Sequence, residues 1–261
     1  AQEKEQAESK IIPTPEPAIT NHTLKIGEKE IKYKAVARYY LQKDDKGKPL
    51  GYIYHTAYTR TDLDSQPRPL TFCFNGGPGS SSIYLHLLTI GPVLAKLKDD
   101  GNTPGPPPKL VDNPYTWLEF TDLVFIDPIG TGYSFPHPNT DMDKYWGAQG
   151  DATSVADFMR MYLTKNNRWL SPVFIAGESY GGVRGALLAE ELQRNRKIKL
   201  NVNGIIFISP AFDWHSLSSA NGHNPIYYTQ YLPTYAATAW HHNKLGEEYN
   251  NNFEKLMGEV K

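Results

Sequence analysis

Pro172-Val173-Phe174-Ile175-Ala176 is an apolar run of strand length, and Gly182 to Leu192 has the spacing of a helix. Between them stand only Gly177-Glu178-Ser179-Tyr180-Gly181. A chain that passes from buried strand to helix in five residues must turn sharply, and glycines at both ends of the turn permit the close backbone approach this needs. The pattern G-x-S-x-G in a strand–turn–helix setting leaves the serine hydroxyl exposed at the apex, as a nucleophile requires. The helix that follows offers free N–H groups and a positive partial charge to a developing oxyanion.

The rest of the chain agrees with a sheet built around that turn. Leu70–Phe74, Leu123–Ile126, Val173–Ala176 and Ile205–Ile208 are nearly continuous apolar runs, as expected for strands covered on both faces. Val155, Phe158, Met159, Tyr162 and Leu163 recur at helical intervals between the second and third, with Asp151 as the start signal. Strand and helix in alternation imply right-handed crossovers and a parallel sheet. Residues 19–60 instead alternate polar and apolar residues, with breaks at Gly27-Glu28-Lys29 and Asp44 to Pro49, which predicts an antiparallel meander. Residues 1–18 read as a loose arm, 19–215 as the α/β core, and 216–261 as the start of a cap insertion. The polar segment Leu245 to Val260 is expected to be helical.

With 27 basic and 28 acidic residues the chain has no charge excess to attract nucleic acid or a membrane surface. The basic run Arg194 to Lys199 reads as the C-terminal end of the helix after Ser179, where cations complement the helix dipole. No apolar run approaches the ~18 residues needed to cross a bilayer. The polar start at Ala1-Gln2-Glu3-Lys4 is expected to follow a removed export signal, and thus a periplasmic, secreted, lysosomal or vacuolar location. Cys73 is the only cysteine and reads as a buried structural thiol. Asn21-His22-Thr23 is a glycosylation sequon, meaningful only in a host that glycosylates.

Asn75-Gly76-Gly77-Pro78-Gly79-Ser80-Ser81-Ser82 follows directly on the first buried strand. Adjacent glycines at the C-terminal edge of a parallel sheet let a ligand approach the backbone. Together with Asn113-Pro114-Tyr115-Thr116-Trp117, Ile126-Asp127-Pro128-Ile129-Gly130-Thr131-Gly132-Tyr133-Ser134 and Gly177 to Gly182, this stretch resembles the serine carboxypeptidase family (peptidase family S10). The four motifs stand in the family's order over about residues 70–215. The resemblance implies an α/β-hydrolase fold with a helical cap inserted before the last strands, and a C-terminal part of the fold lying beyond this chain. It also implies no cofactor.

Carried over position by position, the resemblance makes Ser179 the acylating nucleophile and the N–H groups of Gly77 and Tyr180 the oxyanion hole. Asn75, the N–H of Gly76 and Glu178 then hold the free C-terminal carboxylate of a peptide substrate. A carboxylic acid beside a bound carboxylate retains its proton more readily and can donate it in a hydrogen bond, which implies an acidic pH preference. Two positions depart from the family pattern. Thr89 stands where a second acid usually precedes the Gly91-Pro92 pair, which weakens strict exopeptidase specificity, and Ser80 replaces a cysteine.

A serine nucleophile needs a histidine base and an orienting acid, which in this fold come later in the chain. Asp213 follows the next strand and belongs, in family terms, to a substrate-side loop. His215, His223, His241 and His242 fall in the expected cap, and no carboxylate or cysteine lies at metal-ligand spacing from the tandem His241-His242. The triad Asp and His are therefore expected from a second chain or segment, the lesser alternative being Asp213 with a cap histidine. The leading expectation is a serine carboxypeptidase-like hydrolase acting through a Ser179 acyl-enzyme. The competing ones are an acyltransferase or esterase on the same scaffold and a non-catalytic binding or protective protein.

Overall fold

The computed structural model describes residues 11–63, 67–217, 225–249 and 251–260. The chain divides into two compact units, Ala1–Pro210 and Ala211–Lys261. The first unit is built on an eight-stranded mixed sheet.

Residues 11–17 have no regular structure, and the main chain of Ile12 is tied to the Tyr52 hydroxyl at 2.6 Å. β1 (Ala18–Ile26), β2 (Lys29–Lys43) and β3 (Pro49–Arg60) form the expected antiparallel meander. Its alternation is visible where Ile31 and Tyr33 are buried while Lys32 and Lys34 face outward.

β3 then pairs antiparallel with β7 (Asp122–Ile126), and from there the sheet is parallel: β7 with β4 (Leu70–Phe74), β4 with β9 (Val173–Glu178), and β9 with β10 (Gly204–Ile208). β4 and β7 are buried along their whole length, which explains their unbroken apolar sequences. β5 (Val93–Ala95) and β6 (Leu110–Asp112) form a separate two-stranded ribbon flanking a proline-rich loop at residues 101–108, and β8, paired with β3, is only Phe135–Pro136.

α1 (Ala148–Lys165) and α2 (Tyr180–Arg194) pack on one face of the sheet. Val155, Phe158, Met159, Leu188 and Leu192 meet Phe72, Phe74, Val124 and Ile175 there. A second apolar cluster on the other face gathers Leu24, Ile31, Cys73, Leu123 and Phe125, so Cys73 is a core residue.

Four sequence expectations need correction. α1 begins at Ala148 behind an N-cap at Gly147, because the Asp151 side chain is committed to Arg184 and not to capping. α2 stops at Arg194, so most of the basic run lies past the helix; there Lys197 pairs with Asp45 across to the β2–β3 turn at 2.5 Å. β10 is half-exposed and not fully buried, with Phe207 43% accessible, because among the described residues it pairs with β9 alone. Among the described residues of the final segment, helix is confined to α4 (Phe253–Glu259), where Asn252 caps the N-terminus by accepting from Lys255 N–H.

In the second unit α3 (Pro225–His241) accommodates Pro233 within the helix. Tyr227, Tyr231 and Tyr235 stack along one side of it at i, i+4 spacing, with centroid distances of 4.6 and 6.0 Å.

Candidate active site

β4 and β9 run parallel with Phe74 opposite Gly177, so the segments that follow leave the sheet side by side. One is Asn75 to Gly77 and the other Glu178 to Tyr180. Ser179 has φ 58° and ψ −123°, a left-handed conformation that costs a non-glycine residue on the order of 1–3 kcal/mol. Its N–H donates to the Ile208 carbonyl of β10 at 3.0 Å, and its own carbonyl accepts from Gly182 N–H at 2.9 Å. The turn is thus held from the strand side and the helix side together. A Cβ at Gly177 would collide with the Gly181 carbonyl, and one at Gly181 would stand 2.9 Å from the Phe74 carbonyl oxygen, which is why both ends of the turn are glycine.

The glycine loop presses against the same turn. A Cβ on Gly76 would collide with the Tyr180 nitrogen and stand 2.8 Å from the Glu178 carbonyl oxygen. Gly77 has φ +103°, a conformation that favours glycine. Tyr180 opens α2, so its N–H has no intrahelical acceptor. Among the described residues no backbone acceptor takes up the Gly77 or Tyr180 N–H. Two donors near one serine at a helix N-terminus form a site for negative charge.

Asn75 is fully buried and fixed at both ends of its side chain. Its Nδ2 donates to Glu178 Oε2 at 3.0 Å, and its Oδ1 accepts from Leu85 N–H at 3.0 Å. Arg184 secures the main chain of the same residue, with Nη1 2.6 Å from the Asn75 carbonyl oxygen. Arg184 is itself buried, pairs with Asp151 at 2.8 Å, and lies over the rings of Phe74 and Tyr180 at 5.1 and 5.2 Å.

Neither Arg184 nor Asp151 was anticipated as part of the site. The available signal was an arginine four residues after Tyr180 and four before Leu188, on the side of the helix whose other buried residues carry no charge.

Ser179, Glu178, Asn75 and Gly77 open into a cleft of about 440 Å³ whose walls include Tyr84, Thr89 and Ile208. Thr89 belongs to a short π-helix, His86–Ile90, and its hydroxyl donates to the Tyr84 carbonyl at 3.0 Å. The Asn113 motif holds this wall. Buried Asn113 donates from Nδ2 to the carbonyls of Thr89 and Gly91 at 2.8 and 2.7 Å, and Thr116 donates to that of Ile90 at 2.9 Å.

The Asp127 motif joins two other loops. Its carboxylate accepts from Ser82 N–H at 2.9 Å and Tyr133 N–H at 3.3 Å, while burial pushes its pKa up. A Cβ at Gly132 would overlap that carboxylate.

The cleft has no histidine among its described lining residues. His86, adjacent in sequence to its wall, is turned away onto the Tyr58 hydroxyl at 2.7 Å and the Phe125 ring at 4.5 Å. In the second unit Asp213 accepts the His215 N–H at 3.0 Å. His241 and His242 are exposed, with their rings 4.9 Å apart. His223 lies outside the described residues. Among the described residues no three His, Cys, Asp or Glu side chains group in a way that could hold a metal ion.

The family model of serine carboxypeptidases matches residues 27–257. The chain belongs to the serine carboxypeptidase family. Among curated members, Serine carboxypeptidase-like 51 of Arabidopsis thaliana is 31% identical over 192 residues, covering 68% of this chain and 38% of that protein. Putative serine carboxypeptidase-like 30 of the same plant is 27% identical over 246 residues, or 88% of this chain and 43% of that one.

Among solved structures, a prohormone-processing carboxypeptidase from Saccharomyces cerevisiae superposes with a TM-score of 0.58 at 23% identity. The match covers 87% of this chain and 46% of the yeast protein and carries the α/β-hydrolase fold. This serine carboxypeptidase family member thus spans about two fifths of the length of these relatives. No helix among its described residues is long and apolar enough to cross a membrane.

Proposed function

We propose that the chain carries the nucleophile and substrate-recognition half of a serine carboxypeptidase that releases C-terminal residues from peptides. The observation that supports this most is the Asn75–Glu178 hydrogen bond of 3.0 Å in the same cleft as Ser179 and Gly77. A carboxamide and a carboxylic acid, both able to donate, suit the end group of a peptide.

Ser179 Oγ attacks the scissile carbonyl carbon, and its proton passes to a base. The oxyanion is held by the Gly77 and Tyr180 N–H groups. As the C–N bond breaks, the base returns the proton to the leaving amine, and water then hydrolyses the acyl-enzyme by the reverse sequence. Asn75 Nδ2, the Gly76 N–H and protonated Glu178 orient the substrate carboxylate throughout. The base and its orienting acid come from residues beyond those that line this cleft, on a further chain or segment. Because Glu178 must hold a proton to donate, turnover favours acidic pH, which fits an exported, lysosomal or vacuolar setting.

A second reading, acyl transfer or ester hydrolysis, draws support from Thr89, which gives the cleft wall a neutral hydroxyl in place of a second acid. The decisive experiment compares free-acid and C-terminally amidated peptides on the wild-type enzyme and on Glu178→Gln. Glutamine donates a hydrogen bond at every pH, so the variant is expected to retain free-acid preference while its optimum moves toward neutrality. Equal rates on acid and amide in the wild-type enzyme would refute carboxylate recognition and favour the second reading. Absence of fluorophosphonate labelling at Ser179 would sink both.

A further inference from the structure

Two serines with positive φ meet at the nucleophile turn. Ser179 has φ 58°, and Ser209, the residue after β10, has φ 44°. A residue with a Cβ holds such a conformation only where its surroundings enforce it. The Ser209 side chain is exposed, so its own packing is not what enforces the turn. The cause lies in the residues on either side.

Ile208 ends β10 opposite Glu178, and its carbonyl accepts the Ser179 N–H at 3.0 Å. Pro210 lies against the first turn of α2, where a Cβ on Gly182 would stand 2.6 Å from the Pro210 Cβ and 3.2 Å from its Cα. Gly182 in turn donates its N–H to the Ser179 carbonyl at 2.9 Å. Residues 208 and 210 therefore grip the peptide units before and after Ser179, one directly and the other through Gly182. Continued as an extended strand, the chain would carry residue 210 ~6.6 Å beyond residue 208 along the strand axis. The positive φ at Ser209 breaks that course and lets Pro210 rest on Gly182. Among the described residues β10 pairs with β9 alone, so the contact of Pro210 with α2 is a second anchor for a strand that the sheet holds from one side.

We infer that Ser209 and Pro210 are positioning residues for the nucleophile. The turn at Ser209 keeps the Ile208 carbonyl on the Ser179 N–H and Pro210 on Gly182 at the same time, which fixes the serine relative to the Gly77 and Tyr180 N–H groups. The inference rests on the acyl-enzyme reading of Ser179 proposed above.

The test measures fluorophosphonate labelling of Ser179, and kcat and KM on a free-acid peptide, in the active enzyme. Glycine adopts the Ser209 conformation freely, so Ser209→Gly should label at close to the wild-type rate. Valine resists it, and Ser209→Val should label ~10-fold more slowly or worse. Its loss should fall on kcat, with KM within about twofold of wild type, because the groups proposed to hold the substrate carboxylate keep their places. Gly182→Ala, whose Cβ displaces Pro210, should resemble Ser209→Val. If Ser209→Val does not fold, Ser209→Ala carries the same comparison with a smaller loss, ~3-fold. Wild-type labelling in a folded Ser209→Val, or Ser209→Gly slowed as much as the valine variant, would overturn the inference. So would a loss confined to KM. A wild-type enzyme that does not label refutes the nucleophile itself, an outcome distinct from slow labelling confined to the variants.

Discussion

Acidification should destabilise this fold by an amount set by two buried histidines. His55, enclosed by aromatic rings, has its pKa lowered by desolvation to about 3, and His86, against Phe125 and Tyr58, to about 4. In the unfolded chain both take a proton near 6.5. Between that value and their folded values the unfolded state binds more protons, so stability is full above pH ~6.5 and falls as the pH drops toward 4 and 3. At ~1.36 kcal/mol per pKa unit, moving from pH 7 to pH 5 removes about 2 kcal/mol for each histidine, or ~4 kcal/mol together.

Urea unfolding of the wild type and of His55→Gln/His86→Gln at pH 7 and pH 5 isolates the effect. Contributions from Asp127 and Asp151, whose carboxyls burial pushes up and which therefore act in the opposite direction, are common to both proteins and cancel. The wild type is expected to lose ~4 kcal/mol more than the double variant over that interval. An equal loss in the two proteins, or a difference between them below about 1 kcal/mol, would refute the argument.

Gly76→Ala must move the glycine loop away from the elbow by about 0.6 Å to restore an ordinary contact with the Glu178 carbonyl, more at Tyr180; fluorophosphonate labelling of Ser179 in the active enzyme should slow ~10²-fold. Asp122→Ala removes the fully buried carboxylate that pairs with Arg68 and Arg168 at 2.9 and 2.8 Å, leaving two buried cations uncompensated, and should cost about 3–5 kcal/mol in urea unfolding. Asn113→Ala removes two bonds to the Thr89 and Gly91 carbonyls; it should raise KM for free-acid peptides several-fold, while Ser179 labelling stays near wild type.

The elements most legible in the sequence were those whose pattern is imposed by burial on both sides. β4, β7 and β9 have runs too apolar to be anything but covered strands, and the glycine-flanked serine announced its own turn. α3 was not legible because Pro233 and a row of tyrosines mask its helical period. Within the site, Asn75, Gly76, Gly77, Glu178, Ser179 and Tyr180 are neighbours because two parallel strands end together, which motif order alone anticipates. Arg184 and Asp151 escaped notice since their partnership spans 33 residues and links two helices, a relation no local pattern records. The start of α1 was misplaced for the same reason: an acid near a helix start looks like a cap until its long-range partner is known.

The Asn113 clamp has a consequence for how this cleft can change. It grips the 89–91 segment entirely through main-chain carbonyls, and every residue type has one. Position 89 is therefore an exchangeable fitting on a fixed mount. Replacing its side chain alters the chemistry offered to the substrate and leaves the shape of the wall to Asn113 and Thr116. An acid introduced at position 89 is therefore expected to change the charge of the wall without moving its backbone.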